Sequence, residues 1–289
     1  MQVFFNILYT TSIYFLLGYS FYIIYSAEKF FNLSHAILFT LGAYFTYFFQ
    51  VNLKLDFYIA AILTIILVSL FNLSFYLLFD IFKKRNTLNF IYLILSLGIY
   101  IIIQNLISII FGDKTISFRE PQNFTTLTFG KVGFTKVQLI TILIALLLIL
   151  IYQGFLRKTK IFLLTKAISD NLTLSSIVGV DVKRTFIFIY LLGGVIASIT
   201  GILIACDKDM YPTMGFNLFL YGVVAMIIGG IGSTWGLVGG SLLLATAQHL
   251  GAYYIDSKWM DAIAYIILIL FLIWKPLGFS GKHLKKIEI

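Results

Sequence analysis

The chain has 289 residues, 60% of them hydrophobic and 11% charged, and its mean hydropathy of +0.99 lies far outside soluble globular proteins. The formal net charge of +9 gathers in one set of connections between apolar runs, so it reads as a topology signal with some attraction to anionic lipid, not as nucleic-acid binding. A lone cysteine, Cys206, excludes an intrachain disulfide and any cysteine-based metal cluster.

Apolar runs at about 3–25, 34–51, 57–79, 87–111, 137–156, 185–206, 217–231, 235–255 and 259–274 predict about nine membrane-crossing helices. A hydrocarbon layer of ~30 Å needs about 20 helical residues, and the runs show no strand-like alternation. The expected fold class is an all-α polytopic membrane protein, a single domain over 1–289 without a soluble appendage. The first run lacks a basic flank and a small-residue cleavage site, and is read as a retained span.

Connections after the first, third, fifth and seventh runs, with the tail, hold fourteen Lys/Arg, against seven on the other side. Lys/Arg excess marks the cytoplasmic face. The N-terminus is then outside and the C-terminus cytoplasmic. The connection 112–136 lies outside, and the connection 157–184 lies inside. Within the latter, Ser169 to Val178 carries apolar positions near helical spacing. Ser169 is placed as an N-cap, Asp170 in the first turn and Gly179 as a C′ stop. Such a helix has two readings, one resting on lipid and one docking a soluble partner.

An apolar stretch from about Phe216 to Tyr254 is too long for one span, and Gly229, Gly230, Gly232 and Ser233 interrupt it. Glycine is where backbone leaves a helix at least cost. A break at membrane depth requires burial in protein or a wet cavity, as in proteins that move solutes across bilayers. The plainer reading is a surface loop between two spans. Gly232, Gly236 and Gly240 also form two GxxxG steps, a helix-packing pattern.

Polar residues within the runs are few. His35 reads either as an interfacial histidine bonded to a backbone carbonyl or as pathway lining. Gln104, Asn105, Gln248 and His249 read as hydrogen-bond glue between helices. Nothing has metal-ligand spacing, and no P-loop or catalytic constellation is visible. The expectation is a non-enzyme without metal or cofactor.

Four stretches carry a family likeness. They are Asn32-Leu33-Ser34-His35-Ala36 with Leu41-Gly42-Ala43-Tyr44; Lys166-Ala167 with Gly179-Val180; Gly229-Gly230-Ile231-Gly232-Ser233; and Lys275-Pro276-Leu277-Gly278-Phe279. On them the chain resembles the inner-membrane permeases of branched-chain amino-acid type ABC importers, a family that also serves amides and urea. It departs from the family pattern at Ala36 for Gly and at Lys166 and Lys275 for Arg, which keeps charge but loses the planar fork. The resemblance implies a translocation-pathway subunit in a bacterial inner membrane, paired with a second homologous permease as a hetero- or homodimer. Cytoplasmic ATP-binding subunits and an extracytoplasmic solute-binding protein are the other implied partners. Asn32, His35, Gly42, Tyr44, Gly229, Gly230, Gly232 and Ser233 are then candidates for the pathway. Lys166, Ala167, Ile168, Asp170, Leu172, Ile177 and Gly179 are candidates for coupling to the ATPase. The apolar side of that loop is expected to comprise Ile168, Leu172 and Ile177, with Lys166 and Asp170 orienting it. The competing reading, an ion-coupled secondary transporter, requires ionisable groups in mid-span, whereas the acids here fall nearly all at span ends.

Overall fold

The computed structural model describes residues 1–83, 89–118, 126–129, 132–154, 159–275 and 278–280. Helix α1 (Gln2–Glu28) is apolar on every side and is surrounded by other helices, as such a helix must be. It is followed by α2 (His35–Tyr47), which runs on into a π-helical turn, Phe48–Asn52. Then come α3 (Phe57–Lys83), α4 (Asn89–Phe111) and an antiparallel pair, β1 (Thr126–Phe129) and β2 (Val132–Thr135). Helices α5 (Lys136–Gly154), α6 (Lys160–Asp170) and α7 (Leu172–Ile177) precede α8 (Val182–Asp207). The chain closes with α9 (Met214–Gly229), α10 (Thr234–Tyr254) and α11 (Met260–Trp274).

The core is formed where α1, α2, α8, α9 and α10 meet. Around it stand α3, α4, α5 and α11, whose outward residues, such as Ile102, Ile109, Leu150 and Ile273, are exposed and aliphatic. An aliphatic outer face costs nothing against lipid tails.

The expected nine spans are corrected. Among the described residues six helices are long and apolar enough to cross a membrane, or seven if the bent pair α9–α10 counts as one. Two of the expected runs fail on length. Helix α2 has 13 residues and α9 has 16, about 20 Å and 24 Å at 1.5 Å per residue. Both are apolar because they are enclosed by protein, and α2 is almost wholly buried. Composition alone does not distinguish that from contact with lipid.

Contacts between connections divide the molecule into two ends. At one end Lys83 pairs with the buried Glu28 at 2.5 Å, Lys29 Nζ donates to Ser169 Oγ at 3.2 Å, and residues 279 and 280 bond the end of α9. At the other end Ile116 bridges Met210, Tyr9 donates to Asp207 at 2.6 Å, and Gln2 exchanges two bonds with Gly133. Several basic residues assigned inside by the charge split, including Lys84, Arg85, Arg157 and Lys158, lie outside the described residues.

Candidate functional site

One departure from helix lies within the packed core, and a second lies at one end of the bundle, where Ile231 and Gly232 are exposed. The first follows α1. Lys29, in the left-handed region at φ 59°, turns the chain back, and residues 30–34 climb beside α1 before α2 begins. The ring of His35 meets Ser20 Oγ at 3.0 Å. Ser20 is eight residues above the end of α1, about 12 Å along its axis. Non-helical backbone is thus held inside the bundle, where its polar groups need partners. Side chains supply them. Asn32 Oδ1 accepts from Ser34 N at 3.1 Å and from Ser34 Oγ at 2.5 Å, and Leu33 N donates to Ser96 Oγ on α4 at 3.1 Å. Asn32 and His35 are fully buried, the latter among Phe21, Phe39 and Phe219.

Backbone-to-backbone contact grips α2 from both sides. A Cβ on Gly201 of α8 would lie 2.3 Å from Phe39 O, and one on Gly215 of α9 would lie 2.3 Å from Ala36 O. Gly42 meets Ser198 of α8 in the same way. Tyr44 is fully buried, its ring 5.0 Å from Phe111.

The second departure separates α9 from α10, which bend through 116° at residues 230–233. Gly230 has φ 92° and ψ 127°, a backbone open essentially to glycine. Ser233 caps α10, its Oγ accepting from Gly236 N at 3.1 Å. The carbonyls left free at the end of α9 find partners in the chain after α11. Phe279 N donates to Ile228 O at 3.0 Å, and Ser280 donates to Gly229 O through both N, at 3.1 Å, and Oγ, at 2.7 Å. Two motifs some 45 residues apart therefore form one structure; Pro276 and Leu277 lie outside the described residues. The GxxxG expectation divides: Gly236 and Gly240 abut α9 at Gly229, whereas Gly232 has open space and belongs to the turn.

The pathway candidates are not gathered at one point. Asn32, His35, Gly42 and Tyr44 surround α2, which touches α9 at Gly215. Gly229 lies fourteen residues further along α9, about 21 Å away.

The cytoplasmic-loop expectation needs two corrections. The helix capped by Ser169 is instead an elbow. Ser169 and Asp170 form the last turn of α6, and Asn171 caps α7, its Oδ1 accepting from Leu174 N at 2.9 Å. A side chain that reaches the N3 amide wins over one two residues earlier. Gly179 does stop α7, at φ 87°, with Val180 N bonding Ser175 O and Gly179 N bonding Ser176 O. Nor do the apolar side chains share a face. Ile168 is 2% exposed and turned inward, whereas Ile177 is 75% exposed, in company with Leu172, Leu174 and Val178. Lys166 is exposed on α6, and Ala167 and Asp170 line a groove of about 240 Å³ between the arms of the elbow. Lys29 ties this elbow to α1. Burial draws its ammonium below the usual lysine range, and the neighbouring Asp170 opposes that.

Sequence reasoning passed over Ser96, Gly201, Gly215 and Ser280, whose roles depend on partners far away in the chain. For the two glycines, position within apolar runs was the available signal. Gln104 is half-buried, and Asn105 bonds Ile101 O of its own helix, so no bond between helices is drawn from it. Gln248 does join helices, through Tyr14 and the carbonyl of Met260, and His249 meets Thr10 at 2.8 Å.

An all-helical bundle with short buried helices, and with non-helical backbone enclosed at depth, defines a polytopic membrane protein of the transporter type. The family model described as branched-chain amino acid transport system, permease component, matches residues 3–272, and the chain belongs to that family. It is similar to the high-affinity branched-chain amino acid transport system permease protein LivH of Salmonella typhimurium, 26% identical over 203 residues, 68% of this chain and 66% of that one. BraD of Pseudomonas aeruginosa is 27% identical over 198 residues, 66% of this chain and 64% of its own. The xylose transport system permease protein XylH of Haemophilus influenzae is 27% identical over 122 residues, 39% of this chain and 32% of its own. The matched stretch thus spans about two thirds of the length of the first of these relatives. No solved structure matches the chain.

Proposed function

We propose that the chain is a translocation-pathway subunit of an ABC importer for branched-chain amino acids or related small amino acids and amides. It pairs with a second permease, receives solute from an extracytoplasmic binding protein and docks on cytoplasmic ATP-binding subunits. The observation that carries this reading is the family match over nearly the whole chain, joined to relatives named for branched-chain amino acid transport. ATP hydrolysis then belongs to the partner subunits. The inner membrane is the site, with the N-terminus outside, on the strength of the Lys/Arg split.

In this reading α2 is the buried support of the pathway, with Asn32, His35, Gly42 and Tyr44 acting through its packing. Gly229, Gly230, Gly232 and Ser233 form the hinge between α9 and α10. The elbow of α6 and α7 is the coupling element. Leu172, Leu174, Ile177 and Val178 form an exposed apolar patch with Asp170 in the groove beside Leu174 and Val178 and with Lys166 exposed on α6, of the kind that marks an interaction surface. Ile168 anchors the elbow to the bundle, and Lys29 relays its position to α1. Gly179 ends the patch.

The test is uptake by the complete complex, with the permease, its partner permease, ATPases and binding protein co-expressed. Leu172→Asp places a charge in the coupling contact, which costs a few kcal/mol, on the order of a hot-spot truncation. Uptake and ATPase co-purification should both be lost while membrane levels hold. A control separates protein from lipid: Ala167→Trp should clash with an ATPase cleft yet favour lipid. Intact ATPase binding in Ala167→Trp would show that this elbow is not the coupling element.

A further inference from the structure

Among the described residues, one set of polar groups on the outer face of the bundle converges on a groove. Leu97 and Tyr100 of α4, with Thr213, Phe216 and Asn217 at the start of α9, line a space of about 310 Å³. Tyr100 is the middle residue of α4, about 16 Å from either end. Asn217 follows Phe216, whose ring lies 5.4 Å from that of Tyr100, so it stands at nearly the same level. Both therefore sit near the centre of a ~30 Å hydrocarbon layer. At the level of Tyr100, but on the other side of α4, Ile102 is exposed and aliphatic. Asn217 is exposed too, yet carries a carboxamide. A polar side chain at that depth faces a wet cavity or a protein partner, not lipid.

Resting on the permease reading above, we propose that this groove is one half of the solute site, taking a small solute without net charge and completed by the second permease subunit. The chemistry of the lining sets the class. Among the described residues no Asp, Glu, His, Lys or Arg lines the groove. The rings of Tyr100 and Phe216, 5.4 Å apart, and Leu97 present an apolar wall; the Thr213 hydroxyl and the Asn217 carboxamide present polar atoms beside it. That pairing suits a zwitterionic amino acid or an amide with an aliphatic side chain. The groove is open on one side, and small-molecule sites enclose most of their ligand, so an opposing wall is required. Its back is tied to α2 and to the segment leading into it: Ser96, one turn before Tyr100, accepts from Leu33 N, and Gly215, two residues before Asn217, abuts Ala36. A shift of α2 is therefore felt at both walls of the groove.

The experiment uses the assembled complex in native membranes, in a Cys206→Ser background. Asn217→Cys and Ile102→Cys are each exposed to a small water-soluble methanethiosulfonate reagent, which reacts with thiolate and hence only where water reaches. Asn217→Cys should label and Ile102→Cys should not. Equal inertness of the two overturns the proposal. In parallel, Asn217→Leu, close in shape but unable to bond, should lower uptake of the transported solute about tenfold or more, with complex assembly and membrane level retained. Wild-type uptake by Asn217→Leu also overturns it. Failure of the wild-type complex to take up any amino acid or amide counts against the permease reading instead, and the labelling arm still decides whether the groove is wet.

Discussion

The two departures from helix meet the same demand by different means. At residues 30–34 the freed groups are satisfied by side chains, Asn32 and Ser96, so the solution is local apart from one bond to α4. At residues 230–233 backbone supplies the main part, through a glycine conformation and through the main chain after α11, with the hydroxyls of Ser233 and Ser280 added to it. A side-chain cap fixes one geometry and is lost with one atom. A backbone clamp survives the loss of any single side chain that shares its bonds, and it can release by moving the tail. The first break thus has the character of a rigid support for α2, and the second that of a hinge.

Substitutions can break this contrast, beginning with the largest effect. Gly230→Leu forces a β-carbon into φ 92° and against residue 278, whose own added Cβ would lie 2.4 Å from the Gly230 backbone. The strain is worth about 3 kcal/mol, and uptake should fall to background with the protein still inserted in the membrane. Wild-type uptake would return the segment to an ordinary surface loop.

A smaller cost, about 2 kcal/mol, is expected for Asn32→Ala, which strands the Ser34 N–H and hydroxyl in a buried site. The readout is the thermal midpoint of the detergent-purified complex, which should drop clearly. An unchanged midpoint would mean that the first break is not held by its cap.

The least effect falls on Ser280→Ala. It removes the hydroxyl bond to Gly229 O but leaves the Ser280 N–H bond to the same oxygen, so about 0.5 kcal/mol, a fraction of one net hydrogen bond, is at stake. A midpoint shift as large as that of Asn32→Ala would erase the distinction between side-chain and backbone support.

Much of this was legible in the chain itself, element by element. Glycines at 230 and 232 marked the bend, and Gly179 marked the stop of α7, because positive φ narrows the choice of residue to glycine; Gly229 is helical and is held to glycine by its contact with Gly236. The elbow at Asn171 was misplaced by two residues, since Ser169 and Asn171 are both capping types and only the bond to Leu174 N separates them. The groove at Asn217 left no sequence signal beyond a single polar residue in an apolar run.

Composition and charge by themselves determined a largely helical membrane protein with two chemically distinct sets of connections, because lipid tolerates few other ways to satisfy a backbone and because lysine and arginine are sorted by face. They did not determine the strand pair β1–β2. Only the tertiary structure decided which apolar runs meet lipid and which, like α2 and α9, are enclosed by protein. Both environments reward the same side chains, and the difference lies in contacts such as Gly215 against Ala36 that join residues distant in the chain.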